Sequence, residues 1–210
     1  VILVGQFDSP FVRRVAIALT HYGIAFQHRP WSVWQDEDAI AKLNPLRRVP
    51  TLVLENGECL YESYAILDAL DEQVGPERAL IPARGPLRRE CLRVAALATG
   101  VADKAVSLLY ERLLRPEPSN VWLERCARQI DDTLTVLEAD RAGRAGPFWF
   151  GSALSHADVA VACALRFTRE AHPGRFELNS KPFLSEQTAR CEALPQFCAV
   201  MQPLSVPTKA

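Results

Sequence analysis

Ser9 stands immediately before Pro10, where a hydroxyl can serve two purposes at once. It can accept a bond from the first turn of a helix that Pro10 opens, and it can donate its own proton to an external anion such as a thiolate. Three positions on, where a capping carboxylate would sit, the residue is Val12, so no acid competes for the positive end of that helix. Lowering a thiol pKa from about 8.5 to about 6.5 takes about 2.7 kcal/mol. One hydrogen bond to a charged group contributes about 1.5–3 kcal/mol and a helix end about 0.3–1 kcal/mol, so no covalent nucleophile is needed. By itself a Ser before Pro is an N-cap, and the two roles are compatible.

Two further segments carry groups of complementary type. In Leu46-Arg47-Arg48-Val49-Pro50-Thr51-Leu52-Val53-Leu54, a proline heads a β-rich run. It removes a ladder donor and fixes φ, which leaves backbone groups beside it for a peptide-like ligand. Some such prolines are cis. Glu62-Ser63 precedes a helical pattern. A carboxylate there can hold an amine, and the hydroxyl with the helix N–H groups can hold a carboxylate, which together describe an α-amino-acid head group. The bland alternative is a surface acid followed by a helix cap. Arg47 and Arg48 are solvated charges by default, yet either could hold a second carboxylate. A ligand with an amino-acid head, a peptide centre, a thiol and a tail carboxylate satisfies all of these groups, and glutathione has them all.

The elements that must position these residues follow from patterning. Val1-Ile2-Leu3-Val4-Gly5 is a short buried-strand run, and the helix after Ser9 extends to about Tyr22, with Phe11, Val15, Ala18 and Leu19 on its inner face and Gly23 as its stop. Ile24–Arg29 alternates as a half-buried strand. A polar stretch and a short helix to about Leu43 lead to the Pro50 strand, and Asn56-Gly57 turns the chain into its antiparallel partner before Ser63 opens a helix ending near Gly75. The order is β-α-β-α-β-β-α, a small mixed sheet with helices on its faces. In such sheets ligands bind beyond the carboxyl ends of the strands, where helix N-termini point outward. Residues 1–77 therefore form one domain, 78–86 a Pro/Gly-rich linker, and 87–210 an all-helical domain. In the latter, 87–114 is one amphipathic run interrupted at most by Gly100. Ser119 caps a helix with Trp122, Cys126, Ile130, Leu134 and Leu137 at helical spacing, and Ser155-His156-Ala157-Asp158 resembles a capping box. Pro182–Cys191 and Pro195–Gln202 read as short terminal helices.

The bulk composition excludes several classes. The chain has 210 residues, 49% of them hydrophobic and 23% charged, and a formal net charge of −1, which gives no case for nucleic acid or an anionic membrane as partner. Six cysteines stand apart with neither a CxxC pair nor zinc-site spacing, so they read as buried thiols in a reducing cytoplasm and no metal is expected. No apolar run reaches the roughly 18 residues of a membrane span. The start does not resemble a signal peptide, and since the chain opens on Val1, one or more leading residues are expected to be missing.

The segments Ser9-Pro10-Phe11-Val12-Arg13-Arg14-Val15, Asn44-Pro45-Leu46-Arg47-Arg48-Val49-Pro50-Thr51-Leu52 and Glu62-Ser63-Tyr64-Ala65-Ile66 resemble the glutathione-site segments of the cytosolic glutathione transferases. Trp122, Gln129-Ile130, Leu137-Glu138 and Ser155–Ala162 resemble that family's helical half. The likeness, to a bacterial-like, serine-type member, implies a thioredoxin-like domain with a cis proline, an all-helical second domain, a cytoplasmic homodimer active in detoxification, and glutathione as cosubstrate without a permanent cofactor. It places Ser9 at the thiolate, with Phe11, Arg48, Val49, Pro50, Glu62 and Ser63 binding glutathione: Val49 at the cysteinyl unit, Glu62 and Ser63 at the γ-glutamyl unit, Arg48 near the glycyl end. Phe7 in place of Tyr argues against a tyrosine-type mechanism, and Ser rather than Cys at position 9 against thiol exchange. Phe7, Tyr110 and Phe167, with Phe11, are candidates for the acceptor pocket. The expected activity is conjugation of glutathione to a hydrophobic electrophile. The alternatives are a glutathione-dependent isomerase, dehalogenase or peroxidase, or a non-catalytic binding or stress protein.

Overall fold

The computed structural model describes residues 1–206. The chain divides into two compact units, Val1–Ala83 with Leu194–Pro203, and Arg84–Ala193 with the described residues from Leu204 on.

The first unit is built on four three-residue strands, β1 (Ile2–Val4), β2 (Gln27–Arg29), β3 (Thr51–Val53) and β4 (Cys59–Tyr61), in the order β2-β1-β3-β4. β2 runs parallel to β1, while β3 is antiparallel to both β1 and β4. β2 is shorter than its alternating pattern suggests, because residues 24–26 do not join the ladder. Helix α1 (Pro10–Tyr22) follows β1, with Ser9 at its N-cap, Pro10 in its first turn and Gly23 closing it in the left-handed conformation. Its whole middle is buried, including the charged Arg13 and Arg14. The short α2 (Glu37–Ala41) and α3 (Ser63–Val74) complete this layer.

Residues 78–81, read from composition as linker, are pinned to the first unit. Arg78 donates to the Tyr22 carbonyl at 2.5 Å and Leu80 N–H to the Tyr22 hydroxyl at 2.8 Å. That hydroxyl in turn donates to Asp71, and burial followed by this bond pushes the Tyr22 phenol far above its ordinary pKa. Leu80 and Ile81 are buried. The late helix α8 (Pro195–Cys198) also packs in this unit, where Arg13 holds the end of the segment by bonds to the carbonyls of Phe197 at 3.2 Å and Val200 at 3.3 Å. Leu194–Pro203 thus departs from the all-helical part to which patterning assigns it.

The second unit is all helical: α4 (Pro86–Leu114), α5 (Asn120–Ala142), α6 (His156–Ala171) and α7 (Pro182–Glu192). Gly100 does not interrupt α4. α6 is its centre, buried without a break from His156 to Leu165. A capping box starts it, in which Asp158 accepts from the Ser155 N–H at 2.9 Å and hydroxyl at 2.6 Å. The same carboxylate takes the Trp149 N–H at 2.7 Å and Gln187 Nε2 at 2.5 Å, so one side chain joins α6, α7 and the loop before them. Burial still raises its pKa, against the pull of those bonds. For Asp140 the balance is reversed. Burial raises that carboxyl too, but bonds from Arg144, Arg93 and the Trp149 indole outweigh it and hold the pKa at about 2. Trp122, expected on the inner face of α5, is 38% exposed, with Lys104 set 5.7 Å from its ring. Four of the six cysteines are buried, Cys59 is half-buried and Cys198 is exposed. Among the described residues no helix is long and apolar enough to cross a membrane.

Candidate functional site

The sheet register gathers the three segments. Val4 of β1 faces Thr51 of β3, and Thr51 faces Tyr61 of β4. One residue beyond that row, Gly5 leaves β1, Pro50 enters β3 and Glu62 leaves β4. The loop to Ser9, the Val49-Pro50 corner and the start of α3 therefore share one edge of the sheet, β1 and β4 lying about 10 Å apart at ordinary strand spacing.

At this edge Ser9 has extended backbone, and its Oγ accepts the Val12 N–H at 3.4 Å. Among the described residues that is its one side-chain bond, so the hydroxyl proton is uncommitted. No acidic residue stands in the first turn of α1. The helix N-terminus and the hydroxyl therefore both favour an anion. Phe11, just inside the helix, is half-buried.

The Val49–Pro50 peptide bond is cis. Among the described residues neither the Val49 N–H nor its carbonyl has a hydrogen-bond partner, which leaves one donor and one acceptor on this half-buried residue. Gly5 is what lets the two loops meet. With φ +122°, it would place a Cβ 2.5 Å from Val12 Cγ2 and 2.8 Å from Val49 Cβ, so only glycine fits. Asn44, 1% exposed, braces the corner: its Nδ2 donates to the Arg48 carbonyl at 2.9 Å and to Thr51 Oγ1 at 3.2 Å, and its Oδ1 accepts from Leu46 N–H at 3.0 Å.

Glu62, not Ser63, occupies the N-cap position of α3. It makes no capping bond and holds φ +61° with ψ 124°. A non-glycine residue in that region costs about 1–3 kcal/mol, a strain that collects at functional sites. Its carboxylate lies 3.2 Å from Arg48, so the two charges assigned to opposite ends of a ligand are paired with each other here. Both are substantially exposed, and the pair contributes little stability. Ser63 is the first residue of α3 and is buried. Arg47 faces Glu37 at 3.1 Å and Asp38 at 3.6 Å.

The acceptor-pocket candidates fare differently. Phe7 belongs to the Ser9 loop and stacks on His28 at 3.7 Å with rings parallel to 2°. Tyr110 is half-buried on α4 of the second unit. Phe167 is 6% exposed on α6, beside half-buried Arg166 and ahead of exposed Arg169 and Glu170. Sequence reasoning missed three residues that position the site: Asn44, His28, whose Nε2 lies 2.8 Å from the Gly5 carbonyl, and Gln202. Asn44 was in view only as part of a motif, and no local signal marks the other two. Among the described residues no cluster of three or more His, Cys, Asp or Glu side chains could hold a metal ion.

Known proteins agree on the lineage. Residues 3–78 match the glutathione S-transferase N-terminal domain model and residues 120–196 the C-terminal domain model. An uncharacterized GST-like protein, YibF of Escherichia coli K12, is 34% identical over 208 residues, covering 90% of this chain and 97% of that one. The chain belongs to the glutathione S-transferase family. Among solved structures, a glutathione S-transferase from Methylobacterium radiotolerans in complex with glutathione sulfonate superposes with a TM-score of 0.92 at 26% identity, covering 100% of this chain and 98% of that one. Maleylacetoacetate isomerase of Pseudomonas aeruginosa is 38% identical over 92 residues, 41% of this chain and 42% of that enzyme. This family member thus has the small mixed-sheet unit and the all-helical unit expected of it.

Proposed function

We propose that this glutathione S-transferase family member binds glutathione along the Gly5–Pro50–Glu62 edge and uses Ser9 to hold it as a thiolate that attacks a hydrophobic electrophile. What carries the reading is the row of uncommitted groups on that edge: the Ser9 proton, the Val49 main-chain pair and the uncapped start of α3. In the proposed pose the cysteinyl unit pairs with Val49 as an added strand would, with Pro50 beside it, and its sulfur lies by the Ser9 hydroxyl, next to Phe11. The γ-glutamyl carboxylate takes Ser63 and the α3 N–H groups, while its amine takes Glu62, drawing that acid away from Arg48. Arg48 is then released towards the glycyl carboxylate. The S–C bond forms as the electrophile's leaving group departs, or as its double bond takes up a proton. The M. radiotolerans complex supports a glutathione-shaped ligand for this fold.

The test is Ser9→Ala. Glutathione affinity is expected to stay within about threefold, the pKa of the bound thiol to rise by about 1–2 units from about 6.5, and turnover at pH 7 to fall with the thiolate by about 3–25-fold. Unchanged turnover on every member of a broad electrophile panel would remove Ser9 from the mechanism. Failure of the wild type to bind immobilised glutathione would instead favour a non-catalytic protein.

Isomerisation is a second reading, favoured by the stretch shared with maleylacetoacetate isomerase. It needs the same thiolate but releases glutathione again. Consumption of glutathione per turnover separates the two.

A further inference from the structure

The loop that carries Ser9 is held from a part of the chain almost two hundred residues away. The Phe7 N–H donates to Gln202 Oε1 at 2.9 Å. Gln202 is in turn fixed by α1 itself, since Arg13, one turn after Ser9, binds the carbonyls of Val200 and Phe197 and lies 5.7 Å from the Phe197 ring. Going from Ser9 along α1 to Arg13, across to Val200, on to Gln202, across to Phe7 and back along the loop to Ser9 closes a small ring. Every crossing in it is a hydrogen bond to a main-chain group. Arg13 is 2% exposed, and its bonds satisfy carbonyls that the four-residue α8 and its exit leave without helical partners. On the other side of the loop, His28 meets the Gly5 carbonyl and stacks on the Phe7 ring. The Gly5 N–H is taken by the Arg29 carbonyl and the Ser9 N–H by the Gln6 carbonyl. Gln202 thus supplies a long-range side-chain bond to the Phe7 N–H, in addition to the one His28 makes to the Gly5 carbonyl.

We infer that Gln202 is a positioning residue for thiolate formation: held by Arg13, it pins the Phe7 N–H and thereby fixes where the Ser9 hydroxyl stands relative to the bound sulfur. Gln202 touches no reacting atom. Its effect is confined to the hydrogen bond that Ser9 gives, and a displacement of a few tenths of an ångström at Ser9 weakens that bond without altering the Val49, Glu62 or Ser63 contacts. The inference rests on the glutathione reading above.

The experiment titrates the thiol of glutathione bound to the full chain, by its thiolate absorbance, in wild type, Gln202→Leu, Ser9→Ala and the double variant. Gln202→Leu is expected to raise the bound-thiol pKa by about one unit, which from about 6.5 leaves about threefold less thiolate at pH 7, while affinity for S-methylglutathione, which has no thiolate, stays within about twofold. In the Ser9→Ala background the same substitution is expected to add nothing, because it acts through Ser9. Amide exchange supplies a readout independent of activity: the Phe7 N–H should be protected in wild type and exchange faster in Gln202→Leu. An unshifted pKa in Gln202→Leu, or an equal shift with and without Ser9, overturns the positioning role while leaving the glutathione reading intact. An unshifted pKa in Ser9→Ala overturns both.

Discussion

Ser9 illustrates how a structural duty leaves room for a chemical one. Its oxygen is spent, weakly, on the Val12 N–H, and among the described residues its proton meets no acceptor. Glu62 is the residue where conformation and chemistry conflict. Its positive φ costs about 1–3 kcal/mol, more than the exposed pair with Arg48 returns at about 0–1 kcal/mol. Glycine adopts that backbone freely but adds about 0.5–1 kcal/mol of unfolded-state entropy. Glu62→Gly is therefore expected to leave unfolding free energy in urea within about 1 kcal/mol of wild type, while weakening glutathione binding about tenfold, as calorimetry would record. A loss of several kcal/mol in stability would mean that Glu62 has a structural role not visible in its contacts.

At the scale of elements, the two units use different devices to fix their functional and structural ends. The first relies on strand register, which sets Gly5, Pro50 and Glu62 one step beyond a shared row. The second relies on the start of α6, where Asp158 receives four donors. These contributions are unequal. Ser155→Ala removes one hydroxyl and should cost about 1 kcal/mol. Asp158→Ala strands buried donors from Trp149, Ser155 and Gln187 together and should cost about 3–5 kcal/mol, measured as loss of the helical signal in urea. Comparable losses in the two variants would show that the carboxylate matters only as a helix cap. Capping-box spacing made the Ser155–Asp158 pair legible in the sequence, whereas the bonds from Trp149 and Gln187 depend on where α7 and the preceding loop come to rest.

Across the whole molecule, the clearest pH-dependent group near neutrality is His172 in the second unit. Its Nε2 meets the Ala105 carbonyl at 2.9 Å, and its Nδ1 accepts from Arg112 at 3.3 Å, a bond that protonation would destroy. Burial, followed by the charges of Arg112 and Arg175, lowers its pKa. The unfolded chain therefore binds the proton more readily than the folded one. The contribution of His172 is complete above the unfolded value of about 6.5 and is lost as pH falls below it towards the folded value. His172→Gln is expected to be less stable than wild type at pH 7.5 and to lose less on going to pH 5, in paired urea titrations at the two pH values. Equal pH slopes would exclude His172 as the source.

Sequence by itself determined most of what is local. Ser9-Pro10 fixed a helix start, Asn56-Gly57 a hairpin, Ser155–Asp158 a cap, and the apolar periods fixed which segments are strands and which are helices, because these depend on backbone preferences within a few residues. The three segments of the candidate site were legible for the same reason, each being a short run with its own capping or proline signature. Only the tertiary structure decided which groups remain uncommitted and what holds them. The pairing of Arg48 with Glu62, the positive φ of Glu62, the burial of Arg13, the exposure of Trp122 and the return of Leu194–Pro203 to the first unit follow from long-range packing. The bond from Phe7 to Gln202 joins residues 195 positions apart, and no local propensity encodes such a partner.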